Sequence, residues 1–173
     1  MLNDGGADHL TLGRKLPTVA LPSTSGETVD LAALPGRSLL IVYPWTGRPG
    51  QPNPPNWDDI PGAHGSTPEL EGFRDHHPDF VRLGFRLLGL TRQTTAYQQE
   101  LVDRLALPFP VLSDAEGRFS AALGLPAFTT GGESYLARLT LVIDSGTIKK
   151  VFHPVANPAC HAAELLSEFE AER

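Results

Sequence analysis

The stretch GAHGSTPELEGFRD, residues 62–75, is where side chains that can do chemistry are most concentrated. A glycine-rich turn leads into a helix start there, and the first hydroxyl after the turn belongs to Ser66. The free N–H groups and the macrodipole of a helix start favour a negative charge. A cysteine at such a place is largely a thiolate, whereas a serine hydroxyl does not ionise there and needs a base in order to react.

Two structural interpretations of this hydroxyl compete with a chemical one. Ser66-Thr67-Pro68-Glu69 fits a capping box, in which the serine oxygen accepts from the backbone and the glutamate reaches back. Alternatively, Thr67 is the N-cap and Pro68 is the first helical residue. A serine nucleophile is disfavoured, because His64 has no evident carboxylate partner and the G-x-S-x-G turn is absent.

The rest of the chain has to position this turn. Short apolar runs rich in strand formers alternate with amphipathic segments, which is typical of a sheet with helices on both faces. The predicted strands are 18–22, 27–30, 38–43, 84–90, 109–112, 135–143 and 147–152, and the predicted helices are 67–80, 93–105, 117–124 and 159–172. The first two strands predict an N-terminal β-hairpin. The sequence therefore predicts an α/β fold with a mixed central sheet flanked by helices.

Residues 44–61 hold six prolines and two glycines in 18 residues, which excludes regular structure. A loop of this length is unusual in a compact domain unless it has a function, and a tolerated insertion is the alternative. The loop and the Ser66 turn both follow the first buried strand, at the edge where open sheets gather their chemistry, so we expect an active-site loop. We expect residues 1–173 to form one domain, with residues 1–10 flexible.

The composition excludes several classes of function. Lys and Arg number 14 against 20 Asp and Glu, so the net charge is −6, and binding to nucleic acid is not expected. No apolar run approaches the roughly 18 residues of a membrane span and no signal peptide is evident, so we expect a cytoplasmic location and no membrane partner. The one cysteine, Cys160, excludes a disulfide within the chain, and the sequence contains no metal-binding or nucleotide-binding motif.

The segment GSTPELEGFRD resembles the active-site segment G-C-T-x-E-x-C-x-F-R-D of the bacterioferritin-comigratory (PrxQ-type) peroxiredoxins of the AhpC-TSA family, with Ser66 at the reactive cysteine. The resemblance continues in order over about residues 10–155, through segments such as Ser38–Pro44, Pro108–Asp114 and Ala137–Asp144. It implies a thioredoxin-like fold and thiol-dependent reduction of hydrogen peroxide or organic hydroperoxides.

The resemblance also implies roles for individual residues. A peroxidatic thiolate at position 66 would attack the peroxide, and Arg138 would lie against the thiolate and stabilise its charge. The alternative for Arg138 is a solvated arginine at a strand end. The substrate pocket implied by the resemblance comprises Tyr43, Pro44, Thr46, Gly65, Thr67, Pro68 and Glu69.

Two departures from the family pattern affect these roles. The Thr-Pro that often precedes the cysteine is Ala63-His64 here, although the insertion fits a subgroup with I-P-G-A-x-G, and Thr46 is a substitute source of the threonine hydroxyl. The second cysteine, expected five residues after the first, is Glu71. This implies a one-cysteine enzyme, or the use of Cys160 or an external thiol for resolution. The alternative for Cys160 is a small apolar packing residue.

A serine cannot be oxidised as a cysteine can, so the chain as written is expected to lack peroxidase turnover. We interpret Ser66 as an engineered replacement of the peroxidatic cysteine. The alternative is a natural serine in a non-catalytic binding or regulatory domain. The resemblance implies a peroxide substrate and a thioredoxin, glutaredoxin or small-thiol reductant, with no metal and no organic cofactor, and it is compatible with a monomer or a homodimer.

Overall fold

A mixed sheet forms the centre of the computed structural model, which describes residues 4–10 and 12–172. The strands are β1 (Ala20–Pro22), β2 (Thr28–Asp30), β3 (Arg37–Val42), β4 (Phe85–Thr91), β5 (Val111–Ser113), β6 (Ala127–Thr130), β7 (Glu133–Leu136), β8 (Leu139–Asp144) and β9 (Thr147–Phe152). The central sheet has the order β5-β4-β3-β8-β9. β3 and β5 pair in parallel with β4, whereas β8 pairs antiparallel with β3 and β9.

Helices cover both faces of this sheet. They are α1 (Ser66–Asp75), α2 (His77–Arg82), α3 (Thr95–Leu105), α4 (Arg118–Leu123) and α5 (Pro158–Ala171). Alternation along β3 separates two cores: Leu39 and Ile41 pack with α1, α2, α3 and α5, while Leu40 and Val42 pack with α4 and the β1–β2 hairpin. The predicted mixed sheet, the flanking helices and the N-terminal hairpin are confirmed.

The N-terminal segment and the Pro-rich loop each contain a short 3-10 helix, Asp4–Ala7 and Trp57–Asp59. Residues 1–3, part of the segment expected to be flexible, lie outside the described residues, and Leu10 is 3% exposed. None of the described helices is long and apolar enough to cross a membrane.

The predicted helix 67–80 is wrong in its continuity, because the chain forms two helices that meet at His76. Pro78 supplies the reason, since its nitrogen cannot donate to the carbonyl of Arg74 and its ring would clash with that carbonyl. The apolar residues Leu70, Phe73 and Phe80 are nevertheless all fully buried, so the predicted stripe still identifies the face that meets the core.

The predicted strand 135–143 is likewise two strands, β7 and β8, and β7 pairs with an additional strand, β6, which the sequence analysis did not predict. Gly131 and Gly132 connect β6 to β7 with φ values of 57° and 80°. A two-glycine loop with positive φ at both residues is a strong hairpin signal, so the Gly131-Gly132 pair could have predicted this hairpin from the sequence.

The turn before α1 lies on the connection between the parallel strands β3 and β4. The chain leaves β3 at Val42, passes through residues 43–65 and enters α1 at Ser66. α1 lies directly against α5, because a Cβ atom placed on Gly72 would be 3.5 Å from the Cβ of Ala162. The start of α1 therefore sits between the end of β3 and the last helix of the chain.

Candidate active site

α1 begins without a side-chain cap. Gly65 is the N-cap residue, and the first hydrogen bond of the helix is donated by the Glu69 amide to Gly65 O at 3.0 Å. The amides of Ser66 and Thr67 precede that bond, and Pro68 has no amide to contribute. Both capping interpretations are wrong, since neither Ser66 nor Thr67 is the N-cap and neither hydroxyl bonds a backbone amide among the described residues.

Position 65 requires glycine for two reasons. Its φ is 110°, a backbone conformation that side chains disfavour. A Cβ atom there would also lie 2.8 Å from Pro158 Cγ at the start of α5, which is far inside van der Waals contact. The open start of α1 is therefore built into both the backbone and the packing against α5.

The Ser66 hydroxyl is buried and makes no hydrogen bond. The residue is 4% exposed, and Ser66 Oγ has no partner among the described residues. A buried hydroxyl without a partner is destabilising by about 1–3 kcal/mol. A thiol is a weaker donor and acceptor, and a thiolate would gain from the helix start, so this environment suits sulfur better than oxygen.

His64 does have a carboxylate partner, contrary to the sequence analysis, because its Nε2 contacts Asp58 Oδ1. The pair is exposed and does not reach Ser66, whose hydroxyl has no hydrogen-bonding partner among the described residues. A serine nucleophile needs a base within hydrogen-bond reach, and the described residues provide none.

Arg138 holds the segment that precedes α1. Its side chain is 2% exposed, so the solvated alternative for this residue is wrong. Nε donates to Gly62 O at 3.3 Å, and Nη2 donates to Ala63 O at 3.0 Å and to His64 O at 3.1 Å. Nη1 pairs with Glu69 Oε1 at 3.1 Å. One buried cation thus holds both the segment 62–64 and the first helical turn of α1.

Glu69 is the buried counter-charge of this arginine. It is 1% exposed, and its Oε2 atom makes no hydrogen bond to the described residues. Burial raises the pKa of Glu69 to about 7, although the charge and the hydrogen bond of Arg138 act in the opposite direction. The Glu69 carboxyl group therefore holds its proton to a higher pH than an exposed glutamate does.

A cavity of about 330 Å³ opens beside Ser66. Its walls come from the Pro-rich loop, the α1 start and α3, and they consist of Trp45, Gly47, Arg48, Pro49, Asn53, Trp57, Ala63, His64, Gly65, Ser66, Thr67, Pro68 and Arg104. We call this cavity the Ser66 pocket. A cavity of this size is large enough for a small molecule.

Comparisons with known proteins agree with this architecture. The Redoxin family profile matches residues 11–166. The chain belongs to the Redoxin family. Among curated relatives, a Coxiella burnetii protein assigned as a bcp peroxiredoxin is 26% identical over 160 residues, covering 91% of this chain and 97% of that protein. Peroxiredoxin Q of Oryza sativa subsp. japonica chloroplasts is 26% identical over 156 residues, covering 89% of this chain and 64% of the rice protein.

Solved structures confirm the thioredoxin-like fold that the resemblance implied. Peroxidoxin BcpB from Mycobacterium tuberculosis superposes with a TM-score of 0.74 at 24% identity, covering 95% of this chain and 99% of that one. A cysteine-to-serine mutant of Xylella fastidiosa PrxQ superposes with a TM-score of 0.75 at 20% identity, covering 95% and 98%. The resemblance to the PrxQ-type peroxiredoxins is confirmed.

Within this Redoxin fold, the structure separates the expected pocket residues into two groups. Gly65, Ser66, Thr67 and Pro68 line the Ser66 pocket. The remaining expected residues, Tyr43, Pro44, Thr46, Glu69 and Arg138, are buried and do not line it. Arg138 instead lines a second cavity of about 850 Å³, together with His64.

Thr46 and Tyr43 belong to a buried amide network. Thr46 Oγ1 donates to Gln93 Oε1 at 3.1 Å and accepts from Gln98 Nε2 at 3.2 Å. The Tyr43 hydroxyl donates to Gln98 Oε1, and burial, followed by the charge of Glu69, raises the pKa of that hydroxyl. The threonine hydroxyl is therefore engaged with these glutamines, which tie the start of the Pro-rich loop to α3.

The Pro-rich loop is held in place by the β6–β7 hairpin. Trp57, 4% exposed, packs with its ring centroid 5.1 Å from that of Tyr135 and 5.7 Å from that of Phe128. Thr130 Oγ1 donates to Pro55 O at 2.6 Å. A loop without regular structure is thus anchored by aromatic packing, and its tryptophans form one wall of the Ser66 pocket.

Sequence reasoning missed Arg48, Arg104 and the two tryptophans as pocket residues. Glu100 and Arg104 are four residues apart on a predicted helix, which signals an ion pair but not a pocket. Arg48 lies in the Pro-rich loop, whose path no local pattern encodes. Only the folded chain brings these side chains to Ser66.

Cys160 lies in the first turn of α5 and is exposed, so the interpretation as a packing residue is wrong. Asn157 Nδ2 lies 3.3 Å from its sulfur. Cys160 does not line the Ser66 pocket, and Glu71, at the place of the second family cysteine, pairs with Arg74.

The described residues contain no cluster of His, Cys, Asp and Glu suited to a metal ion.

Proposed function

We propose that this protein is a thiol-dependent peroxidase whose reacting position, 66, is occupied by serine. With cysteine at that position it reduces hydrogen peroxide or organic hydroperoxides. One observation carries the proposal: Ser66 Oγ is buried and unpartnered at an uncapped helix start, beside a cavity of about 330 Å³. This arrangement gives no benefit to a hydroxyl, but it lowers the pKa of a thiol and leaves room for a peroxide.

The proposed chemistry is a two-electron displacement. The thiolate attacks one peroxide oxygen, the S–O bond forms as the O–O bond breaks, and the leaving oxygen takes a proton to become water or an alcohol. Sulfur is thereby oxidised to a sulfenic acid. The amides of Ser66 and Thr67 are placed to stabilise charge on sulfur and on the peroxide, because α1 offers them no internal acceptor.

Arg138 and Glu69 act in this proposal as positioning residues. Arg138 fixes the carbonyls of residues 62–64, so that the turn presents position 66 to the pocket. Its buried positive charge also favours a thiolate at position 66. The ionised Glu69 carboxylate offsets that positive charge more than the protonated carboxyl group does. The pKa of a thiol at position 66 therefore depends on the protonation state of Glu69.

The reductant in this proposal is an external thiol. α1 offers no cysteine that could react with a sulfenic acid at position 66, and Cys160 is exposed on α5 outside the pocket. Thioredoxin, glutaredoxin or a small thiol would return the sulfenic acid to the thiol, in two steps through a mixed disulfide. The cytoplasm, where such thiols are kept reduced, is the proposed location.

We further infer that Ser66 replaces a cysteine of the parent sequence, as in the cysteine-to-serine mutant of Xylella fastidiosa PrxQ. The serine itself favours a second candidate, a non-catalytic binding or regulatory domain that evolved from an enzyme. Codon 66 of the natural gene separates the two: a cysteine codon supports the enzyme, and a serine codon supports the binding domain.

The decisive experiment restores sulfur at position 66. Ser66→Cys in a Cys160→Ser background should give one thiol with a pKa well below the ordinary value of about 8.5, read from the pH dependence of alkylation. It should consume hydrogen peroxide at least about a hundredfold faster than free cysteine, because fixed donors of this kind contribute factors of that order. A sulfenic acid trapped at position 66 would identify the reacting atom.

Thr67→Cys in the same background is the matched control, because residue 67 lines the same pocket one position further into the helix. Its thiol should react with peroxide at close to the rate of free cysteine. If both variants react at that ordinary rate, the peroxidase proposal is wrong.

A further inference from the structure

The Ser66 pocket is positively charged although the protein as a whole is acidic. Arg48 and Arg104 both line it, and no acidic residue is among the described residues that do so. The net charge of the whole chain is −6. A concentrated positive field inside an acidic protein is a local feature that favours an anion in that pocket.

Neighbouring residues hold both arginines in fixed positions. The Arg48 guanidinium lies 3.9 Å from the centroid of the Tyr97 ring, and its Nη2 donates to Tyr97 O at 3.3 Å. Arg104 Nε donates to Glu100 Oε1 at 2.7 Å, and its Nη2 donates to Gly47 O at 3.0 Å. Guanidinium groups fixed in this way lose little conformational entropy when they bind a ligand.

Glu100 neutralises only part of this charge. It pairs with Arg104 and also lies 3.4 Å from Arg48 Nε, so one carboxylate is shared between two guanidinium groups. The Nη1 atoms of both arginines make no hydrogen bond to the described residues. The cluster therefore retains one net positive charge and unused donors, which match the two oxygens of a carboxylate.

The other walls are aromatic. Trp45 and Trp57 lie edge to face with ring centroids 5.5 Å apart, and both line the pocket. The volume of about 330 Å³ is near the lower end of the roughly 300–1,000 Å³ found for small-molecule sites. Such a cavity suits a compact apolar or aryl body and is too small for a long lipid chain.

We propose that the Ser66 pocket selects small organic hydroperoxides that carry a carboxylate. The carboxylate binds Arg48 and Arg104, the apolar body lies against Trp45 and Trp57, and the peroxide group faces position 66. The peroxide part of this inference rests on the proposed function, whereas recognition of the carboxylate is a binding property that the serine form also has. Arg48 and the two tryptophans belong to the Pro-rich loop, so the loop sets substrate preference.

The test uses the chain as it stands, with Ser66 and without turnover. Its two tryptophans, Trp45 and Trp57, both line the pocket, so tryptophan fluorescence is sensitive to binding there, and the arginine variants below assign any change to this cavity. The probes are 4-isopropylbenzoate and 4-isopropylbenzamide, which have nearly the same shape and differ in charge. We expect the benzoate to change the fluorescence saturably and to bind at least about tenfold more tightly than the benzamide.

Two variants and one control locate the effect. Arg48→Gln and Arg104→Gln should each weaken benzoate binding about tenfold, since each removes a charge-assisted contact, while benzamide binding stays the same. Arg82→Gln, on α2 and exposed, should leave both affinities unchanged. Because Arg104→Gln also removes the contact to Gly47, salt provides a second measure: added salt should weaken benzoate binding to the unsubstituted chain and leave benzamide unaffected.

The outcomes separate this inference from the proposed function. If benzoate and benzamide bind equally, or neither changes the fluorescence, the carboxylate inference is overturned, whatever Ser66→Cys does with hydrogen peroxide. If benzoate binds with the expected arginine and salt dependence but Ser66→Cys is inert, the proposed function fails and carboxylate recognition stands. A Ser66→Cys protein should also reduce 4-carboxycumene hydroperoxide faster than cumene hydroperoxide, and the reverse preference would count against the inference.

Discussion

Helices α1 and α3 both contribute to the Ser66 pocket, but their starts are built in opposite ways. At α3, the Thr94 hydroxyl accepts from the Tyr97 amide at 3.2 Å, so a residue next to the helix caps it. At α1 the N-cap is Gly65, and the preceding turn is held by Arg138 from more than 70 positions along the chain. Where the α1 start faces the Ser66 pocket, a long-range tether therefore takes the place of a local cap.

The largest predicted effect comes from removing that tether. Arg138→Ala should lower the free energy of unfolding by about 3–5 kcal/mol, because it leaves Glu69 buried without its cation. Urea unfolding at pH 8, above the pKa of about 7 that Glu69 has in the unsubstituted chain, measures the change. A loss below about 1 kcal/mol would show that α1 does not depend on the tether.

Two further variants sharpen this prediction. Adding Glu69→Gln to Arg138→Ala should recover part of the lost stability, because the uncompensated charge is gone. Arg118→Ala, whose side chain is 65% exposed, should change stability by no more than about 0.5 kcal/mol. If the double variant is as unstable as Arg138→Ala alone, the contacts to residues 62–64 account for the tether.

The second prediction concerns the pH dependence of stability. The first turn of α1 contains an acidic residue, Glu69, and the first turn of α3 contains none. The pKa of Glu69 is raised from 4.5 to about 7, chiefly by burial, so the folded state holds a proton that the unfolded state has lost. This contribution is fully present below pH 4.5 and is lost as the pH rises to 7. Its slope is up to about 1.4 kcal/mol per pH unit.

In the unsubstituted chain, the titration of His161 opposes the pH dependence of stability that Glu69 causes. Burial, followed by the charge of Arg138, lowers the pKa of His161 from 6.5 to about 4, so its contribution is lost as the pH falls through that range. The two slopes have opposite signs where the ranges overlap. Urea unfolding of His161→Gln should therefore show stability falling from pH 4.5 to 6.5, and Glu69→Gln should show it rising. Parallel curves for the two variants would contradict both assignments.

The smallest predicted effect compares the two hydroxyls directly. Thr94→Ala should lower the free energy of unfolding by about 1 kcal/mol, because it removes a working cap. Ser66→Ala should cause no loss, since Ser66 Oγ has no hydrogen bond among the described residues and its burial is unfavourable. Thermal unfolding of both variants at one pH tests this. A loss at Ser66→Ala equal to that at Thr94→Ala would mean that Ser66 does cap α1.

The same contrast explains what the sequence could predict. The apolar run SLLIVY predicts β3 because its residues face two cores in alternation, and the turn signals around residues 23–26 predict the β1–β2 hairpin. The resemblance to the peroxiredoxins directed attention to Arg138 and Glu69. These are patterns carried by neighbouring residues or by one continuous motif.

The rest of the pocket depends on contacts between distant segments. Trp57 meets Tyr135, and Arg104 meets Gly47, and no periodicity links these positions. The capping box failed for the same reason, since the contact between Gly65 and Pro158 decides the geometry of the α1 start. The break at His76 and the β6–β7 hairpin are different, because Pro78 and the Gly131-Gly132 pair were visible in the sequence.

The contact between Gly65 and Pro158 has a consequence for how the protein is made. The ribosome makes α5 about 90 residues after α1, so the wall against which the α1 start is built emerges well after the α1 start itself. Arg138, the tether, also emerges long after the turn that it holds. During translation position 66 therefore lacks its folded surroundings until Arg138 and Pro158 have been made, and the peroxidase proposal implies that a cysteine there gains its low pKa only after that point.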